Sequence, residues 1–323
     1  MRSFSLYLRM MLLLALFFGI VYGIITIFMQ AIGIGNLYFY FILALLILGF
    51  QYMIGPKIVE MSMRVHYIKK KDLPWLYEMV EDLARKAKIP VPRVGIAEIG
   101  IPNAFAFGRS LSDGRVCVTR GILNLLDKEE LKAVLGHEIT HLKNRDVLFI
   151  TLLSALPLIL YWIALRFLFF GSYERRREGG GYTILVGLVA FILYFITNLL
   201  ILYASRIREY FADRGSVMLG NPPHKLATAL YKLVYGSARI PKESLKEIEG
   251  LKAFFLNDLS KAHQEIYELS QLDIDKSGTI DPEELEILRK KRVKLSFADK
   301  MMEILSTHPN ILKRIKYLSS YHS

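Results

Sequence analysis

Four long apolar runs limit what this chain can fold into. They cover about Met10 to Gln30, Leu37 to Gly55, Val147 to Leu165 (with Pro157 inside it) and Thr183 to Ala204. A helix needs ~20 predominantly apolar residues to cross a bilayer. The runs therefore predict four transmembrane helices in two hairpins. A signal peptide does not explain the first run, which is long for that purpose and is followed at once by the second. Buried core helices are the competing explanation for the third and fourth, and the length and lack of internal acids of both runs argue against it. Hydrophobic residues make up 53% of the 323, and mean hydropathy is +0.32, an excess concentrated in these runs.

The formal net charge of +12 would suggest a nucleic-acid partner in a soluble protein. Here the basic residues stand beside the apolar runs, the pattern of a membrane surface, so a lipid bilayer is the expected partner and nucleic acid is not. Arg2, Arg9, Lys57, Arg64 and Lys69 to Lys71 favour the cytoplasmic side of a cell membrane. Arg175, Arg176 and Arg177, in the loop between runs three and four, point the other way: either they break the positive-inside tendency or the second hairpin does not fully cross. The single cysteine, Cys117, leaves no intramolecular disulfide to form.

The runs divide the chain into an N-terminal hairpin (1–55), a soluble segment (56–146), a second hairpin (147–204) and a second soluble segment (205–323). In the first soluble segment, Leu73–Lys88 predicts an amphipathic helix, and Arg93–Ile99, Asn103–Gly108 and Arg115–Thr119 predict short strands. Asp127 caps a long helix with Glu129 and Glu130 in its first turn. The second segment is expected to be helical. The class is mainly α with a small β-sheet (α+β).

The sharpest chemical signal is His137-Glu138-Ile139-Thr140-His141 on that capped helix. Residues four apart share a helix face, so both imidazoles reach one metal. Glu138 lies one step round, placed for a water and not for the metal. Leu131, Val134, Leu135 and Ile139 predict a largely buried helix, and two buried histidines need partners. Zinc bound by two histidines still lacks a protein ligand. Glu209 and Asp213, again four apart on a helix continuing the fourth run, offer one: Glu209 as ligand, and Asp213 as acceptor for the far N–H of a ligand histidine.

Asn103-Ala104-Phe105-Ala106-Phe107-Gly108, the HExxH motif, Glu209-Tyr210-Phe211-Ala212-Asp213, and Ser306-Thr307-His308-Pro309 with Arg314 follow one another between the four runs. As a set they resemble the HtpX-type membrane metalloproteases, a gluzincin family, and more distantly the CAAX prenyl proteases. The resemblance covers essentially the whole chain. It implies a zincin-like domain with one Zn²⁺ on His137, His141 and Glu209, and Glu138 as catalytic base. It further implies His308 near the scissile carbonyl, Arg314 supporting the site through acidic neighbours, and Asn103 on an edge strand that binds substrate backbone. The implied substrates are polypeptides, namely misfolded or damaged membrane proteins, cleaved at the cytoplasmic face.

One stretch departs from that pattern. Within an insert at 257–292, Asp273 to Glu284 is similar to an EF-hand loop. Asp273, Asp275, Ser277, Asp281 and Glu284 stand at side-chain ligand positions, the Thr279 carbonyl at another, Gly278 at the sharp turn and Ile280 at the apolar position. Ca²⁺ is the implied ion, and an acidic turn between helices is the alternative. The rival functions are a non-catalytic calcium-responsive membrane scaffold, which has no need of Glu138, and a prenyl-peptide protease.

Overall fold

The computed structural model describes residues 37–165, 167–168, 180–238, 272–290 and 297–321. The first apolar run, its linker to the second, Arg2, Arg9, Arg166, the arginines 175–177 and the first part of the insert (257–271) lie outside them. The protein is mostly helical with one small mixed sheet. It divides into two compact units. One comprises the chain up to Met53 and Leu148–Ile207; the other comprises Ile54–Val147 and Arg208–Ser323.

In the first unit the second apolar run is helical within α1 (Leu37–Ser62). The third run is two helices, α5 (Asp146–Leu153) and α6 (Ala155–Leu165), where one was expected. The break falls at Ser154, not at Pro157. Pro157 sits in the first turn of α6, where a missing N–H costs no helical hydrogen bond. The fourth run belongs to α7 (Gly180–Met218), which continues without interruption through Glu209 and Asp213. Among the described residues, 146–165 and 184–218 are long and apolar enough to cross a membrane.

The second unit is built on a sheet with strand order β1-β2-β4-β3. Its strands are β1 (Val65–Tyr67), β2 (Arg93–Ala97), β3 (Ala104–Phe107) and β4 (Arg115–Thr119). β2 and β4 are parallel, and the outer two pair antiparallel. β2 and β3 are shorter than the sequence suggests, with Ile99, Asn103 and Gly108 outside them, and β1 was not anticipated. Helix α2 (Pro74–Ala87) starts on a proline, whose φ suits a first turn, and ends where Lys88 turns left-handed at φ 59°. Its Leu76, Val80 and Leu83 form one buried stripe. That stripe meets Leu131, Val134 and Leu135 of α4 (Lys128–Lys143) in a common core, after the short α3 (Arg120–Leu125). Two further helices, α8 (Pro223–Ala238) and α11 (Ile311–Leu318), supply Leu226, Leu230, Ile311 and Ile315 to the same core. Helices α9 (Pro282–Lys290) and α10 (Phe297–Ile304) lie between α8 and α11 in sequence.

Candidate active site

The site begins with how α4 is started and held. The Asp127 carboxylate accepts from the N–H groups of Glu129 and Glu130, both at 2.8 Å, and Glu130 returns a bond to the Asp127 N–H. This reciprocal cap fixes the first residue of the helix, and so the direction in which His137 and His141 project about two and a half and three and a half turns later. The Glu130 carboxylate also receives Lys232 of α8 at 2.7 Å.

Small residues then bring α4 against α7. A methyl group added at Gly215 would stand 2.2 Å from the Thr140 side chain, and one at Gly136 would stand 2.3 Å from Asn221 Nδ2. Only hydrogen fits at either position. The Ser216 hydroxyl donates to the Ala133 carbonyl at 2.6 Å across the same contact. This close approach brings Glu209, one and a half turns before Gly215, to the two histidines.

His137 Nε2 and His141 Nε2 lie 3.0 Å apart. Glu209 Oε2 is 3.7 Å from the first, and Glu209 Oε1 is 3.5 Å from the second. One ligand atom from each of the three residues falls within 4.8 Å of the others, a spacing that could hold a metal ion. Glu209 Oε2 and both ring nitrogens of His308 are buried without a hydrogen-bond partner. Oε2 does lie 3.0 Å from Arg314 Nη1 and 3.2 Å from His308 Nδ1, contacts of charge without hydrogen-bond geometry. Buried polar atoms left in this state fit a cation in the gap between them.

Carboxylates back both histidines. His137 Nδ1 is 2.9 Å from Asp213 Oδ1. Arg314, fully buried, grips Asp213 with two bonds of 2.7 and 3.0 Å. His141 Nδ1 is 2.5 Å from Asp146 Oδ2, and Arg208 is ion-paired to the other Asp146 oxygen. An ionised carboxylate only accepts, so each imidazole keeps its proton on Nδ1 and turns a lone pair on Nε2 toward the gap.

Burial sets the protonation of the group. Burial lowers the His137 pKa to about 4 against the pull of Asp213, so the ring is neutral, as a metal ligand must be. Burial would raise the Glu209 carboxyl, but the charges of His308 and Arg314 outweigh it and hold that carboxyl well below its ordinary range. Asp213 is likewise lowered, burial being outweighed by Arg314 and His137. Glu138 goes the other way: burial is the main cause of a rise to about 7, and Glu209 adds to it. The Ala106 N–H of β3 hydrogen-bonds to Glu138. β3 pairs with β4 on one side, and no strand lies on its other side among the described residues.

His137, Glu138, His141, Glu209, Asp213, His308 and Arg314 thus converge. Asn103, the residue before β3, is completely buried; its backbone N–H donates to Thr119 Oγ1 and its carbonyl accepts from the Thr119 N–H. Asp146 and Arg208 are the residues the sequence reading missed. A signal existed: two ligand histidines each need an acceptor for the far N–H, and Asp213 could serve only one.

In the loop at Asp273–Glu284, carboxylate oxygens of Asp273, Asp275 and Glu284 also lie within 4.8 Å of one another. Asp281 stands apart from that group, capping α9 by accepting from the Glu284 N–H at 2.8 Å. Ser277 Oγ is 2.9 Å from Thr279 Oγ1 and 3.5 Å from the Thr279 carbonyl.

A buried HExxH helix facing a carboxylate as third candidate ligand defines a metal-dependent peptidase. Residues 70–322 match the family model for peptidase family M48, and the chain belongs to that family. It is a metalloprotease, a hydrolase of peptide bonds, of the HtpX type. A "Protease HtpX homolog" of Methanothermobacter thermautotrophicus is 53% identical over 234 residues, 72% of this chain and 88% of that protein. A second "Protease HtpX homolog", of Picrophilus torridus, is 31% identical over 332 residues, 99% of each chain. Among solved structures, Ste24p of S. mikatae is similar in fold, with a TM-score of 0.55 at 15% identity; the match covers 97% of this chain and 66% of that one.

Proposed function

We propose that this protein is a multi-pass membrane zinc endopeptidase with a zincin-like domain facing the cytoplasm and four transmembrane helices. Its proposed substrates are unfolded segments of misfolded or damaged membrane proteins. The observation that carries the reading is the convergence of His137, His141 and Glu209 beside a buried Glu138. In this reading the three residues hold zinc, which when bound lends Lewis acidity to the scissile carbonyl and the attacking water. Glu138 accepts the proton of that water and delivers it to the leaving amine. A pKa near neutrality suits both halves of that task. His308 donates to the developing oxyanion. Arg314 and Asp213 orient His137. An extended substrate adds to the open edge of β3, next to Asn103, by backbone hydrogen bonding. The test is digestion of casein by purified protein with and without a chelator, alongside metal analysis. Chelator-sensitive cleavage with about one zinc per chain is expected, by the one-site count of such centres. Cleavage that persists in metal-free protein would refute it, and no cleavage at all would favour the scaffold.

A second proposed feature is a calcium site at Asp273–Glu284. The supporting observation is how the loop is braced. The Thr228 hydroxyl of α8 donates to the Ile280 carbonyl and accepts from the Ile280 N–H, both at 2.9 Å. This serves the backbone that a partner loop serves in paired EF-hands. Calorimetry on zinc-loaded protein tests the site. Heat of Ca²⁺ binding should vanish in the double variant Asp273→Ala/Glu284→Gln; heat that survives places the ion elsewhere.

A further inference from the structure

The chain leaves the second compact unit after Val147 and returns to it at Arg208. Asp146 is therefore the residue before the last one out, and Arg208 the first one back. These two are joined by an ion pair and are largely buried, Asp146 at 9% and Arg208 at 6% exposure. The pair does more than tie two segments together. Oδ1 of Asp146 takes Arg208, while Oδ2 takes the Nδ1–H of His141 at 2.5 Å. The same construction recurs on the other histidine, where Arg314 grips Asp213 and Asp213 receives His137.

We infer that Asp146 and Arg208 are positioning residues for the metal centre: Arg208 immobilises Asp146, and Asp146 sets the ring plane and tautomer of His141. The reasoning is electrostatic and geometric. His141 is the more exposed of the two ligand rings, its side chain 19% exposed against 0% for His137, so packing restrains it less. A carboxylate on Nδ1 keeps the Nε2 lone pair on the gap and makes that nitrogen a better donor. That carboxylate is itself the first residue of α5 and would be free to follow that helix. Arg208 removes the freedom, because it is the neighbour of Glu209 on α7. The ion pair thus holds His141 and Glu209 in one register, through adjacent residues of one helix.

The inference rests on the zinc reading above, and the experiment separates the two. Zinc dissociation constants are measured by competition with a fluorescent chelator, and Co²⁺-substituted protein is followed by its visible absorption spectrum. Both readouts are independent of turnover. His137→Ala and Glu209→Gln test the centre itself. Asp146→Asn, isosteric and uncharged, is expected to weaken zinc binding about 10–100-fold, the usual cost of losing such a partner, and to alter the Co²⁺ spectrum. Arg208→Gln should weaken binding less, and Arg208→Lys should restore most of the loss. Because Arg208 acts through Asp146, the double variant Asp146→Asn/Arg208→Gln should bind zinc no more weakly than Asp146→Asn alone. Additive losses, or zinc affinity in Asp146→Asn equal to the unaltered protein, would overturn the inference. If His137→Ala and Glu209→Gln also left affinity intact, it is the zinc assignment that fails. Circular dichroism of each variant identifies any that do not fold, for which Asp146→Glu and Arg208→Lys supply the same comparison.

Discussion

Glu138 and Asp113 show how far one carboxyl can be moved, and in which direction. Glu138 is raised to about 7 because its helix face is closed to water. The amide of Glu138→Gln keeps the shape and cannot accept a proton. We therefore expect unchanged zinc content and a loss of casein cleavage of ~10²–10⁴-fold, the range for a general base; near-normal cleavage would remove Glu138 from the mechanism. Asp113 is lowered instead. Its first cause is the Arg109 hydrogen bond at 2.7 Å; Arg115 at 3.0 Å and Arg93 at 3.1 Å stand beside it. A depressed carboxyl stabilises the fold fully above its unfolded pKa of ~3.9, and the stabilisation is lost as pH falls below that value toward the folded pKa. The thermal midpoint should accordingly drop between pH 6 and pH 3 by more in the unaltered protein than in Asp113→Asn. Equal drops would show that this cluster contributes nothing. The two candidate ligand pairs, His137 with His141 and Glu209 with Asp213, were legible in sequence because their chemistry is local: an i, i+4 pair is a pair on any helix. Asp146 and Arg208 were not, because their meeting depends on two chain segments 62 positions apart by residue number.

At the scale of elements, what could be read was what the element itself encodes. The Asp127 cap, the Pro74 start and the stripe of Leu76, Val80 and Leu83 all announce helices. β1 is three residues of which none is buried, too short and too exposed to show an alternation. The break at Ser154 carries no such marker: it has neither glycine nor proline, and the one proline of the run, Pro157, falls inside the first turn of α6. Nor does sequence reveal that Gly136 and Gly215 face each way across the α4–α7 contact. Their removal makes a direct test of that packing. Gly215→Ala puts a methyl where Thr140 stands, a forced overpacking that costs about 1–3 kcal/mol. It should lower the thermal midpoint and zinc occupancy together, since the α4–α7 separation sets the distance from the histidines to Glu209. A variant with a normal midpoint and a full zinc equivalent would show that the helices slide past the methyl at no cost.

For the whole molecule the governing fact is that the candidate site residues lie on both sides of the inserted apolar segment. His137, Glu138 and His141 precede it, and Glu209, His308 and Arg314 follow it, yet all belong to one compact unit. In the proposed membrane topology the two ends of the insert therefore emerge on one face of the bilayer, which requires an even number of crossings. Helix α7 is long enough for both tasks: 39 residues span ~58 Å at 1.5 Å per residue, against a hydrocarbon core of ~30 Å. Its first half carries exposed Leu185, Leu188, Ile192 and Phe195, a surface suited to lipid, whereas Ala212, Asp213 and Ser216 further along are buried. Which face is cytoplasmic is then a question of charge: Lys57 lies near the end of α1 and Arg64 and Lys69 to Lys71 follow it, all at the start of the second unit. Cysteine labelling decides it. Cys117 is buried and is replaced by serine to leave a silent background. Ser110→Cys and Lys276→Cys then report from exposed positions far apart in the unit's sequence. A membrane-impermeant maleimide should label neither in intact bacterial cells and both after lysis. Labelling of both from outside would invert the orientation. Labelling of Lys276→Cys alone would mean that the insert crosses an odd number of times, which the single compact unit holding His141 and Glu209 does not permit.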